Sequence, residues 1–138
     1  MNDEAVFPDS NIWLYAFMRV QDPEKHIRAM EIIDGPDVRI STQVVGEVCN
    51  TLLKKGGKSE DEIERIIRTF YDRYVPIQVD GPERLLRATD LRKKYHFSHW
   101  DSWIVCAALE SGCSTLYSED MHDGLVVEGT LTIRNPFR

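Results

Sequence analysis

The sequence has no surplus of positive charge. Lys and Arg total 17 against 23 Asp and Glu in 138 residues, a net charge of −6. Proteins that grip nucleic acid mainly through its phosphates carry a basic surplus. A DNA-binding module of that kind is therefore disfavoured, whereas an enzyme whose acids gather in one pocket is not. Cysteine is scarce: Cys49, Cys106 and Cys113 are an odd number, and no two share C-x-x-C spacing, so no disulfide framework is implied. Cys49 and Cys106 sit in apolar helical patterns, where a free thiol packs as a small hydrophobe. No apolar run approaches the roughly 20 residues that span a bilayer. The start, Met1-Asn2-Asp3-Glu4, is acidic and unlike a signal peptide. A cytoplasmic protein with no membrane attachment is the expectation. Repeats, low-complexity tracts and linkers are also missing, so residues 1–138 are read as a single domain.

What is present is a run of strand–helix units. Val6-Phe7-Pro8 is a short apolar strand that stops at Asp9, and Ser10-Asn11 turn the chain into a helix. Asp22-Pro23 is a helix start, and that helix stops before Asp34-Gly35-Pro36. Asp37–Ile40 reads as a second strand, handing over at Ser41-Thr42 to a helix with Val44, Val45, Val48 and Leu52 on one face. Ser59 and Glu62 form a capping box ahead of the stripe Ile63, Ile66, Ile67, Phe70, Tyr74. Val75–Val79 is a third strand. The helix opened by Asp80-Gly81-Pro82 packs Leu85, Leu86, Ala88 and Leu91. A nearly all-apolar helix follows from Phe97 to Leu109, then strands at Ser114–Tyr117 and Leu131–Ile133. Alternating β and α units with short connections predict an α/β fold. Its form is a three-layer sandwich with a mainly parallel twisted sheet of four or five short strands flanked by helices.

Parallel strands bring their C-terminal tips to one edge, where ligands bind in open α/β sheets. Asp9 and Asp120 belong to that edge, and Glu47 and Asp101 lie in early turns of helices that begin there. Each acid has a plainer reading: Asp9 as an N-cap, Glu47 as a solvated helix edge, Asp101 with Ser98 as an S-x-x-D capping box, Asp120 as a turn residue. Together they place four carboxylates in one crevice, and their mutual repulsion implies divalent cations. An oxygen-only donor set suits one or two Mg²⁺ or Mn²⁺ ions. The basic patch Arg92-Lys93-Lys94 reads either as favourable charge at a helix C-terminus or as a phosphate contact near the cleft.

Four segments, D-S-N-I-W-L-Y-A, S-T-Q-V-V-G-E-V, H-W-D-S-W-I-V-C-A-A-L and L-Y-S-E-D-M, resemble in order and spacing the PIN-domain ribonucleases. More narrowly they resemble the VapC-type toxins of toxin–antitoxin pairs. The resemblance implies metal-dependent endonucleolytic cleavage of RNA, with Asp9, Glu47, Asp101 and Asp120 as catalytic and metal-binding residues. It also implies supporting roles for Asn11 and Ser118, a homodimer, and a cognate antitoxin whose tail fills the acidic groove. Asp9 and Asp101 are expected to hold the ion that activates water, with Glu47 and Asp120 completing its shell. Asp123 is a candidate to share or replace the role of Asp120. Two other functions fit the same acids: a phosphoesterase or DNase on this fold, and a non-catalytic binding module.

Overall fold

The structure, a computed structural model, describes residues 5–18 and 22–138. Met1–Glu4, read above for targeting, and Gln21 lie outside the described residues. Among the described residues four strands and six helices follow in the order β1 (Val6–Pro8), α1 (Ser10–Phe17), α2 (Pro23–Ile33), α3 (Thr42–Lys54), α4 (Glu60–Arg73), α5 (Gly81–Tyr95), α6 (His99–Glu110), β2 (Thr115–Tyr117), β3 (Val126–Val127) and β4 (Leu131–Arg134). The sheet order is β1-β2-β4-β3, with β1, β2 and β4 parallel and β3 antiparallel to β4.

Register sets the core. Phe7 pairs with Leu116 and Leu116 with Ile133, so three fully buried side chains stand side by side on one face. Val44, Val48 and Leu52 of α3 and Ile104, Val105 and Ala108 of α6 join the same cluster. Alternation turns Val6 and Tyr117 to the opposite face, where they pack with Ile12, Ala29 and Ile32 of α1 and α2. Both faces of the sheet are thereby covered, as parallel sheets require.

Helix starts follow local chemistry. Asp22 accepts from the Lys25 N–H with Pro23 at the first helical position, and Ser41 accepts from the Val44 N–H. The capping box of Ser59 and Glu62 forms in both directions. Asp80 precedes α5 but makes no side-chain cap bond.

Three expectations need correction. Asp37–Ile40 and Val75–Val79 do not form strands. Each contributes a single parallel bridge, Val38 to Val6 and Ile77 to Ser41. The first segment enters α3 almost at once, and in the second Pro76 has no N–H to donate while Val75 is 97% exposed. On α5, Ala88 and Leu91 are buried, but Leu85 and Leu86 are 39% and 65% exposed. The two-residue β3 was not foreseen in the sequence.

Candidate active site

The parallel strands β1 and β2 end together. The Asp9 N–H donates to the Tyr117 carbonyl at 2.8 Å, which binds the tip of one strand to the tip of the other. The Asp9 carboxylate is both cap and cleft group. Oδ1 accepts from the Ser10 N–H at 2.7 Å, and Oδ2 accepts from Ser118 Oγ at 3.0 Å. Burial pushes Asp9 up to about 6; the bonds from Ser10 and Ser118 work against this, and the charges of Glu47 and Asp101 add to it.

Asp9, Glu47, Asp101 and Asp120 all line one open cleft of about 300 Å³, together with Ser10, Asn11, Leu14, Asn50 and Thr51. No lining residue is cationic. Glu47 sits in the second turn of α3. Its Oε1 accepts from Ser10 Oγ at 2.6 Å and its Oε2 from Gln43 Nε2 at 3.3 Å. Asp101, third residue of α6, gives its N–H to Ser98 Oγ at 3.2 Å, so the capping reading and the cleft reading hold together. Burial raises the Asp101 pKa, with the Ser98 bond opposing and the charges of Asp120 and Glu47 adding. Asp120 Oδ2 accepts from Asn11 Nδ2 at 2.6 Å.

Ser118 ties these parts together. It is fully buried, donates to Asp9, and accepts from the Asp120 and Met121 N–H groups at 3.3 Å each. One hydroxyl thus fixes the β1 tip to the loop after β2. Glu119 anchors that loop from outside: Tyr15 Oη donates to it at 2.7 Å, and Lys25 Nζ forms an ion pair with it. Burial pushes Glu119 up, but the bonds from Lys25 and Tyr15 outweigh it and hold the carboxyl below its usual range.

The chemistry of the donor set fits a hard divalent cation: four carboxylates, hydroxyl and amide oxygens, and no sulfur or imidazole in the lining. Among the described residues no three His, Cys, Asp or Glu side chains are drawn together tightly enough to form a ready ligand cage.

Two groups of sequence candidates stand elsewhere. The Asp123 Oδ1 accepts from the Asn135 N–H at 2.8 Å, and its other oxygen faces Arg138, so Asp123 braces the C-terminal segment and does not line the cleft. Arg92, Lys93 and Lys94 do not line it either. Arg92 donates to Ser102 Oγ and Thr89 Oγ1, and Lys94 pairs with Glu128. Sequence reasoning missed Ser10 and Gln43. Gln43 lies one helical turn before Glu47, a spacing that brings the two side chains together and carries the missing signal. The three cysteines are free and buried.

A model of the PIN domain family matches residues 6–122. Two solved structures share the fold. One is a toxin–antitoxin complex from Klebsiella pneumoniae, with TM-score 0.67 and 22% identity, covering 96% of this chain and 98% of that one. The other is VapC20 of Mycobacterium tuberculosis, described as a sarcin–ricin-loop-cleaving toxin, with TM-score 0.67 and 19% identity, covering 84% of this chain and 90% of that one. No curated protein sequence matches the chain. With its motifs lying inside the matched residues, the chain belongs to the PIN domain family.

Proposed function

We propose that this protein is a divalent-metal-dependent endoribonuclease, the toxin of a toxin–antitoxin pair. The observation that carries the reading is the convergence of Asp9, Glu47, Asp101 and Asp120 on one cleft with no cationic side chain to neutralise them. Membership of the PIN family supports it, as does the likeness of fold to a toxin described as cleaving the sarcin–ricin loop. Asp9 and Asp101 would hold Mg²⁺ or Mn²⁺, with Glu47 and Asp120 completing the set of donors, and the bound ion would supply charge neutralisation and an acidified water.

The chain's own residues prepare that cleft. Ser10 and Gln43 hold Glu47, Asn11 holds Asp120, and Ser118 holds Asp9 and the Asp120 backbone. Such supporting donors fix carboxylate orientation before any ligand arrives, which avoids reorganisation during reaction. In the overall hydrolysis, the water oxygen bonds to phosphorus, the P–O3′ bond breaks, and one proton ends on the leaving 3′ oxygen while the other is released. The products carry 5′-phosphate and 3′-hydroxyl ends. The partners that follow are an RNA substrate, an antitoxin whose tail occupies the acidic groove, and a second copy in a homodimer. Among the described residues no helix is long and apolar enough to cross a membrane.

The test is incubation of purified protein with total cellular RNA and Mg²⁺ or Mn²⁺, with EDTA and Asp101→Asn as controls. Discrete fragments lost in both controls are expected. Cleavage that survives EDTA overturns the reading, and cleavage of DNA but not RNA replaces it with the DNase alternative.

A further inference from the structure

Beside the acidic cleft lies a second hollow of about 310 Å³, whose lining includes Thr42, Gln43, Gln78, Trp100 and Trp103 and no charged residue. Two links join it to the cleft. Trp100 immediately precedes Asp101 in the chain. Gln43 lines the hollow and bonds to a residue of the cleft, its Nε2 donating to Glu47 Oε2 and to the Trp100 carbonyl at 3.3 Å each. With both bonds on the amide nitrogen, the Gln43 side-chain oxygen is buried without a partner. Gln78, exposed in the same lining, is the amide that a ligand in the hollow can reach.

Trp100 is 55% exposed. Its ring is braced edge-on by His99 at 4.6 Å and Trp103 at 5.0 Å between centroids. A ring held by its neighbours yet open to solvent loses little freedom when a flat ligand stacks on it. The charge distribution points the same way. The cleft lining has no cationic side chain and the chain carries −6, which leaves side-chain charge a weak grip on phosphate and shifts the grip toward stacking. Proteins that hold unpaired RNA stack its bases on aromatic rings and hydrogen-bond the base edges.

We propose that the hollow formed by Gln43, Gln78, Trp100 and Trp103 is a nucleobase subsite, which holds one unpaired base of an RNA strand and so delivers an adjoining phosphate to the carboxylates. The base stacks on Trp100, and its edge meets the exposed side-chain amide of Gln78, which can both donate and accept. Glu47 is one helical turn from Gln43 and Asp101 one residue from Trp100, so a seated base leaves its phosphodiester at the cleft. This rests on the ribonuclease reading and deepens it: the substrate is a loop or single strand, gripped through a base.

The test is fluorescence polarisation of a labelled single-stranded oligoribonucleotide. It compares Asp9→Asn protein, chosen to bind without cutting, with the same protein carrying Trp100→Ala or Trp100→Phe. Trp100→Ala weakens binding by about 5- to 100-fold and Trp100→Phe restores most of it. An abasic substitution that weakens binding to Asp9→Asn costs nothing further once Trp100 is Ala, since the two changes remove one contact. The Mn²⁺ affinity of Trp100→Ala in the otherwise wild-type protein, measured by calorimetry, equals that of wild type. Unchanged RNA affinity in Trp100→Ala overturns the subsite. A full abasic penalty that persists does the same, as does lowered Mn²⁺ affinity. If wild type cuts no RNA with either ion, the ribonuclease reading itself fails, and that result is separate from all of these.

Discussion

Asp9→Asn is expected to stabilise the metal-free protein at neutral pH while destroying its function. Asp9 rises from an ordinary 3.8 to about 6 in the fold, chiefly through burial. Between those values the folded protein binds more protons than the unfolded chain, so stability falls as pH rises. The contribution is fully present below about 3.8 and is lost once pH passes about 6. The full rise is worth about 3 kcal/mol, and opening of the carboxylate to the cleft reduces this to about 2. Asn keeps the N-cap, since it ranks with Asp there, but its amide nitrogen cannot accept the Ser118 hydroxyl, a loss of about 1 kcal/mol. At pH 7.5 in EDTA the variant should gain about 1 kcal/mol, or about 3–5 °C in melting temperature. At pH 4 the gain should vanish and the lost Ser118 bond leave the variant slightly weaker. Adding Mg²⁺ or Mn²⁺ at pH 7.5 should reverse the order, because only wild type keeps the full carboxylate set. Thermal and urea denaturation at the two pH values, with and without ion, read all of this. A variant less stable than wild type at pH 7.5 in EDTA, or a gap independent of pH, would show that burial of the Asp9 charge does not limit stability.

Asn11→Ala removes the donor on Asp120 and should weaken Mn²⁺ binding by about 10-fold or more in calorimetry, with stability within about 1 kcal/mol of wild type because the bond is exposed. Ser118→Ala strips Asp9 of a stabilising donor and leaves the Asp120 and Met121 N–H groups without their acceptor. It should cost about 2–3 kcal/mol in urea denaturation, and the acid limb of the pH–rate profile should move to higher pH. Leu116→Ala, between Phe7 and Ile133 at the centre of the sheet, should cost about 2–5 kcal/mol. Its activity per folded molecule should remain measurable at low temperature, since Leu116 does not line the cleft.

The four carboxylates were legible in the sequence because each sits near a boundary that local chemistry marks: Asp9 after an apolar strand, Asp101 three residues past Ser98, Asp120 past the Leu116-Tyr117 tip, Glu47 in an early turn of the helix that starts at Ser41-Thr42. Asp22-Pro23 and Ser59/Glu62 were equally readable, because caps are decided within four residues. What depends on distant partners was not. Whether Asp37–Ile40 and Val75–Val79 pair as strands or touch at one bridge is set by how soon the chain must turn into the next helix. Leu85 and Leu86 fit an apolar stripe, yet only Ala88 and Leu91 of that helix meet the core. Asp123 and Asp120 look alike in sequence, three residues apart in one loop. Only the fold shows that Asp123 turns to Asn135 and Arg138 while Asp120 meets Asn11. The two-residue β3 is too short for alternation to register.

Whether water or the RNA's own 2′-hydroxyl attacks the phosphorus is recorded in the ends of the fragments. The measurement is end-group analysis of RNA fragments produced with Mg²⁺ or Mn²⁺. Attack by water in the acidic cleft gives 5′-phosphate and 3′-hydroxyl ends, formed only when the ion is present. Fragments ending in 2′,3′-cyclic phosphate, or formed equally well in EDTA, contradict it.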